Sequence, residues 1–182
     1  MIGLKRGTIK LFPYNPKWEK LFEKEKQLLK KTFGDTIIGI EHIGSTAIPG
    51  VPAKPIIDID VGVESLEIAR SMKKQFEKLG YCHRPFTPKK TKEGLKWEEL
   101  YAKGPEANRT HYVHVTVYEN NYWKNDLLFR DYIRKNSVRA GQYTKLKEKL
   151  AKKYHNNREA YTRNKEQFIN DTLNMAKRDK VK

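Results

Sequence analysis

Asp58 and Asp60 are the residues of this chain whose type and spacing point most directly to chemistry. They stand two positions apart in the run IIDIDV, residues 56 to 61. A strand's side-chain period of two places both carboxylates on one face and Ile57, Ile59 and Val61 on the other. Carboxylates this close repel and resist desolvation, so a cation, a base or solvent must lie between them. Magnesium answers that need with few protein ligands, because it takes one or two carboxylates together with substrate phosphates. Upstream, Gly44, Ser45, Thr46 and Ala47 make a turn of small residues whose backbone N–H groups and hydroxyls suit a phosphate. Gly-Ser-Thr is also an ordinary turn, and Asp-x-Asp occurs on many exposed strand faces. Their combination, with a strand on either side, is what points to function.

Other candidates lie around this pair. His42 precedes the turn and either touches a phosphate or hydrogen-bonds the loop. Lys54 sits in a loop stiffened by Pro49, Pro52 and Pro55, as a phosphate contact or a surface lysine. The stretch THYVHVTV, residues 110 to 117, alternates as a strand, with Tyr112, His114 and Thr116 on one face and Val113, Val115 and Val117 on the other. If it neighbours the aspartate strand, His114 is placed to act as base, metal ligand or phosphate contact; a satisfied structural histidine is the competing reading, and it applies to His111 as well. Further on, Arg130, Arg158 and Lys165 fall near the inner faces of helices, where a desolvated charge needs a phosphate or an acidic neighbour such as Asp131.

The elements that must position these groups read as follows. Thr8 to Phe12 alternates as a short strand ended by Pro13. Asn15 caps a helix with Pro16 at its first position, an apolar stripe runs from Trp18 to Phe33, and Gly34 stops it. Strands follow at 36 to 43 and across the aspartates. Ser65 opens a helix that ends at Gly80, and Tyr81 to Arg84 forms a strand with Leu95 to Ala102 as its hairpin partner. Between these two lies a basic loop with Pro85 and Pro88, running through Gly94. From residue 121 on the pattern is helical: 121 to 135, 138 to 154 and 158 to 177. The expectation is one domain over 1 to 182, with an α/β core at about 8 to 120 and C-terminal helices at about 121 to 177.

The 182 residues carry 38 basic and 22 acidic side chains. Nucleic acid, an anionic membrane or a phosphorylated substrate would each account for the excess. So would the lysine, asparagine, isoleucine and tyrosine bias of an AT-rich genome. No contiguous basic stripe with interleaved aromatics stands out, which leaves RNA binding weakly supported. No apolar run is long enough to span a membrane, and the N-terminus lacks the apolar stretch of a signal peptide. The single Cys82 fits a reducing, cytoplasmic setting and reads as a half-buried strand residue.

Gly-Ser followed by Asp-Ile-Asp on a strand resembles the signature of the nucleotidyltransferase superfamily. More specifically, EHIGSTAIPGVPAKPIIDIDV, THYVHVTV, LLFRDYIRKN and YTKLKEKLAKKYHNNREAYTRNKEQFI fall in the order and spacing of the GrpB family of small bacterial proteins, from Thr8 to about Lys177. The resemblance implies an α/β (α+β) fold: a nucleotidyltransferase-like mixed sheet flanked by helices, with a helical C-terminal part. It also implies Gly44 and Ser45 as a phosphate turn, beside which Thr46, His42, Lys54, Arg130 and Lys165 stand, on their own residue types and positions, as further candidate phosphate or nucleotide contacts. Asp58 and Asp60 would be ligands of Mg2+, and His114 would take the place of a third acid. Two functions follow as expectations: metal-dependent transfer of a nucleoside monophosphate from a nucleoside triphosphate, or binding of a nucleotide or coenzyme A precursor without chemistry.

Overall fold

A computed structural model describes residues 2–84 and 99–179, together with the backbone of 90–91 and 94–95. Helix α1 (Lys17–Phe33) leads into strand β1 (Gly39–Ile43), a 3-10 turn (Ser45–Ala47) and strand β2 (Ile57–Val63). Two short helices, α2 (Leu66–Ser71) and α3 (Lys73–Lys78), precede β3 (Tyr81–Arg84). The two-residue strands β4 (Lys90–Thr91) and β5 (Gly94–Leu95) pair with each other. Then come β6 (Glu99–Lys103), β7 (His111–Val117) and the helices α4 (Asn121–Lys135), α5 (Ser137–Lys153), α6 (Arg158–Arg163) and α7 (Glu166–Asp179).

The main sheet has the order β1-β2-β7-β6-β3. Only β2 and β7 run parallel, and the other pairs are antiparallel. The expected mixed α/β sheet with flanking helices is therefore present. One face carries Ile57, Ile59, Val61, Val113 and Val115, packed against Trp18, Phe22, Leu29 and Phe33 of α1 and Phe76 of α3. All of these are buried. The alternation that made β2 and β7 legible as strands fills this face with β-branched residues.

The other face turns toward the C-terminal helices. Gly39 and Gly62 let α4 approach it: a Cβ on Gly62 would come 2.6 Å from the Tyr118 ring, and one on Gly39 would come 2.9 Å from the Trp123 ring. Small apolar clusters tie these helices to the neighbouring loops, one of Ile48, Val51, Ile133 and Tyr143 and another of Ile9, Leu150 and Tyr161, while Ile56, Ala102 and Tyr112 form a third that includes sheet residues.

Several boundaries depart from expectation for identifiable reasons. Thr8 to Phe12 forms no strand. Phe12 makes one isolated bridge with Ala53, exchanging both backbone bonds, while the Ile9 N–H goes to the His155 carbonyl. Pro13 beside Phe12 and Pro52 beside Ala53 lack the N–H needed to extend that ladder. The helix expected from Ser65 to Gly80 is two, divided at Met72, although Ser65 does accept from the Ile68 N–H. The helix expected over 158 to 177 is likewise two, divided at Asn164 and Lys165. Helix α1 starts one residue later than expected, with Pro16 at its N-cap position, although Asn15 Oδ1 still accepts from the Lys17 N–H, and Gly34 at φ 52° ends that helix. Cys82 is exposed, not half-buried, because β3 is an edge strand. The basic loop with Pro85 and Pro88 lies outside the described residues apart from the backbone of β4 and β5. Of the segment 95 to 102 expected to pair with β3, Leu100 to Ala102 do so within β6, and the pairing runs on to Lys103.

Candidate functional site

The register defines a polar face on the side of the sheet turned toward α4, α5 and α6. In β2, Asp58 stands opposite Ile43 of β1 and Tyr112 of β7, and Asp60 stands opposite Glu41 and His114. Paired residues share a face, so Glu41, Asp58, Asp60, Tyr112, His114 and Thr116 line one surface. Asp60 is buried, while Asp58 and His114 are half-buried. The condition on which the His114 expectation rested, adjacency of the two strands, is met.

The turn Gly44–Ala47 folds back onto Asp58. Gly44 has φ 68°, and a Cβ there would lie 2.8 Å from Asp58 Oδ2, so both conformation and space require glycine. The N–H groups of Ala47 and Ile48 close the turn on the carbonyls of Gly44 and Ser45. The Thr46 hydroxyl bonds His42 Nε2 at 3.0 Å. His42 lies on the opposite face from the aspartates, buried and stacked on Phe22 at 4.7 Å, with Nδ1 3.3 Å from Glu19 Oε2. Burial lowers its pKa to about 4, against an opposing pull from Asp58, which leaves the ring neutral at pH 7. His42 and Thr46 thus tie the turn to the core and sit apart from the polar face. His111 also lies on the core face, its Nε2 3.9 Å from Glu25 Oε2, and burial lowers its pKa.

Arg130 reaches the same region from α4 and is fully engaged. Nη1 donates to Glu41 Oε2 at 2.7 Å and to the His42 carbonyl at 2.9 Å, and Nε donates to Asp131 Oδ1 at 2.8 Å. The acidic neighbour considered as the alternative to a phosphate is therefore its partner. One turn later, Arg134 Nε donates to the Ala47 carbonyl at 2.8 Å, holding the Gly44–Ala47 turn from outside.

Cations gather around Asp58. Lys54 keeps some accessible surface, yet protein packs closely about its ammonium. That burial, with Arg158 and Lys165 nearby, lowers its pKa to about 7 while Asp58 opposes the shift. Lys147 of α5 is only 2% exposed. Its Nζ donates to the Pro52 carbonyl and lies 5.0 Å from the Tyr143 ring centre. Burial, then Lys165 and Lys54, lowers its pKa well below the usual lysine value, again against Asp58. Arg158 of α6 donates to the Tyr112 hydroxyl at 2.7 Å and lies over that ring at 4.7 Å. Lys165 lies over the Tyr161 ring at 4.6 Å. Among the described residues none of these four cations has a carboxylate within salt-bridge distance. Aromatic faces and carbonyls support them instead.

The structure thus brings together Asp58, Asp60, His114, Gly44, Lys54 and Lys165 from the sequence candidates, with Ser45 in the adjoining turn. Sequence reasoning assigned no role to Lys147 or Arg134. Lys147 was detectable, since it occupies an apolar position on the stripe Tyr143, Lys147, Leu150, Tyr154. As metal ligands, Asp58 and Asp60 offer one pair of carboxylates, and among the described residues no group of three or more His, Cys, Asp and Glu is arranged to hold a metal. Two carboxylates fit magnesium that arrives with phosphate oxygens and water, and fall short of a metal site made by protein alone.

This is a small α/β protein whose five-stranded sheet presents an acidic and cationic face beneath C-terminal helices. It superposes with a TM-score of 0.81 on the crystal structure of conserved protein GrpB from Enterococcus faecalis, at 33% identity over 95% of this chain and 100% of that one. The family model for GrpB protein matches residues 8–175, and the chain belongs to that family. It is 36% identical over 178 residues to the glutamate-rich protein GrpB of Alkalihalophilus pseudofirmus, covering 96% of this chain and 99% of the relative. It is 38% identical over 173 residues to the UPF0157 protein YqkA of Bacillus subtilis, covering 95% of this chain but 48% of that longer relative. A shorter stretch of 79 residues, 42% of this chain, is 37% identical to 19% of the dephospho-CoA kinase of Mycobacterium bovis.

Proposed function

We propose that the polar face binds a nucleoside triphosphate and transfers its nucleoside monophosphate to an acceptor hydroxyl. The observation that carries this reading is the register: Asp58 and Asp60 lie side by side on β2 beneath the Gly44 turn, with His114 across the parallel pair from Asp60. Asp58 and Asp60 would hold magnesium, whose chemistry is to offset charge on the phosphate oxygens. The acceptor oxygen would attack the α-phosphorus as the bond to the bridging oxygen breaks, releasing pyrophosphate. His114 would receive the acceptor's proton. Lys54 would neutralise oxygens on the transferred or leaving group.

A second reading keeps the ligand and drops the chemistry, so that the face binds a nucleotide or a coenzyme A precursor. Two observations favour it: the position of β7 that faces Asp60 holds histidine and not a carboxylate, and part of the chain matches a dephospho-CoA kinase.

Thermal melts of the wild type and of Asp58→Asn/Asp60→Asn, against nucleoside triphosphates and coenzyme A precursors with and without magnesium, test the site. Binding to the folded state raises Tm. A magnesium-dependent rise that the double variant loses supports the site, and pyrophosphate release on adding acceptors then separates transfer from binding. An equal rise in the double variant removes the aspartates from the site.

A further inference from the structure

The cations around Asp58 outnumber any carboxylate able to pair with them. Lys54, Lys147, Arg158 and Lys165 come from three separate stretches of chain, the proline-rich loop, α5 and the α6 to α7 region: Lys147 reaches the Pro52 carbonyl, two residues before Lys54, and Arg158 reaches the hydroxyl of Tyr112, the residue paired with Asp58 across β2 and β7. Lys147 is the most informative. Among the described residues it is the one charged side chain in the group of largest fully buried ones, and its ammonium has a carbonyl and a ring for company. A fully buried ammonium without a carboxylate is costly to keep, and lysine is otherwise almost never fully buried unpaired. Surface attraction to a polyanion would not require burial at all.

The supports of the four groups set their direction. The Pro52 carbonyl holds Lys147 from one side, the Tyr112 hydroxyl holds Arg158, and the Tyr161 ring lies beneath Lys165. Each contact uses a neutral partner and leaves positive charge uncompensated. Lys54 lies between prolines in a loop anchored by the Phe12 and Ala53 bridge, so its backbone is held before any ligand arrives. Several lysines and one arginine around a small volume match an anion bearing several charges close together, which is the chemistry of linked phosphates.

We propose that Lys54, Lys147, Arg158 and Lys165 form a preorganised site for an oligophosphate, the β and γ phosphates of a bound nucleotide or free pyrophosphate, distinct from the Gly44 turn. This rests on the reading of the polar face as a nucleotide site and deepens it, by moving the terminal phosphates from the turn to the C-terminal helices. Arg130 is excluded from the role, because Glu41, Asp131 and the His42 carbonyl already occupy its donors.

Titration calorimetry with inorganic pyrophosphate and no metal tests the proposal on the full chain. The wild type should bind, and Lys147→Met and Arg158→Met should each weaken binding at least tenfold. Melting curves without ligand show whether each variant is folded, and Lys54→Met supplies a third variant whose own backbone is fixed by its prolines. Binding of pyrophosphate that survives in all three lysine and arginine variants would overturn the assignment, as would absence of binding to a folded wild type. Pyrophosphate binding that follows the cations, together with nucleotide binding indifferent to Asp58 and Asp60, would keep the oligophosphate site and reject the transferase reading.

Discussion

The two faces of the sheet solve burial in opposite ways. On the face toward α1, α2 and α3, the charged groups that enter the core meet opposite or polar partners, and among the described residues His111 Nε2 is the one buried polar side-chain atom left without a hydrogen bond. Glu25 accepts from the Tyr81 hydroxyl and from Lys103 Nζ, each at 2.7 Å, and His42 bonds Thr46. On the face toward α4, α5 and α6, Lys54, Lys147, Arg158 and Lys165 approach one another with neutral supports only. The first face gains stability from its contents. The second gives up stability to hold charge in place, a pattern expected where a ligand completes the site.

Truncation should separate the faces most sharply. Phe76→Ala removes a fully buried ring stacked on Tyr101 and should cost ~3–5 kcal/mol in urea denaturation. Gly44→Ala comes next: its positive φ and the approach to Asp58 should cost about 1–3 kcal/mol and weaken ligand binding together. Lys54→Met should go the other way and raise Tm at pH 7 by a few degrees, since it removes a crowded ammonium and leaves the loop prolines in place. A loss of stability in Lys54→Met would show that the polar face is also paired.

The pH dependence sharpens the same contrast. Lys54 titrates near 7 when folded and at the ordinary lysine value when unfolded, so between those values the unfolded chain binds more protons and stability rises with pH. The difference between wild type and Lys54→Met should therefore shrink from pH 7 toward pH 10. His42, with a folded pKa of about 4, contributes a loss of stability as pH falls from 6.5 to 4. His42→Gln should flatten that limb, which chemical denaturation at pH 4.5 and 7 would reveal.

Much of the core face was legible because it obeys two periods. The α1 stripe and the alternating valines and isoleucines of β2 and β7 name its residues directly. The aspartate pair and His114 were legible for the same reason, since alternation alone places them on the other face. What escaped was tertiary. Alternation along β1 sets His42 with Ile40 and away from Glu41, but its packing on Phe22 and its bond to Thr46 are tertiary. Arg130 and Lys165 look alike in the helical sequence pattern, yet Glu41 and Asp131 engage the first, while the second falls at the break between α6 and α7, over the Tyr161 ring. Thr8 to Phe12 alternates like a strand and fails to become one because prolines interrupt both partners of its single bridge.

The most direct test is calorimetric titration of a magnesium nucleoside triphosphate into three folded proteins: wild type, Asp58→Asn/Asp60→Asn and Lys147→Met. Binding to the wild type that is lost or weakened at least tenfold in both variants is the expected result. Equal affinity in all three would place the ligand elsewhere and contradict the assignment of this face.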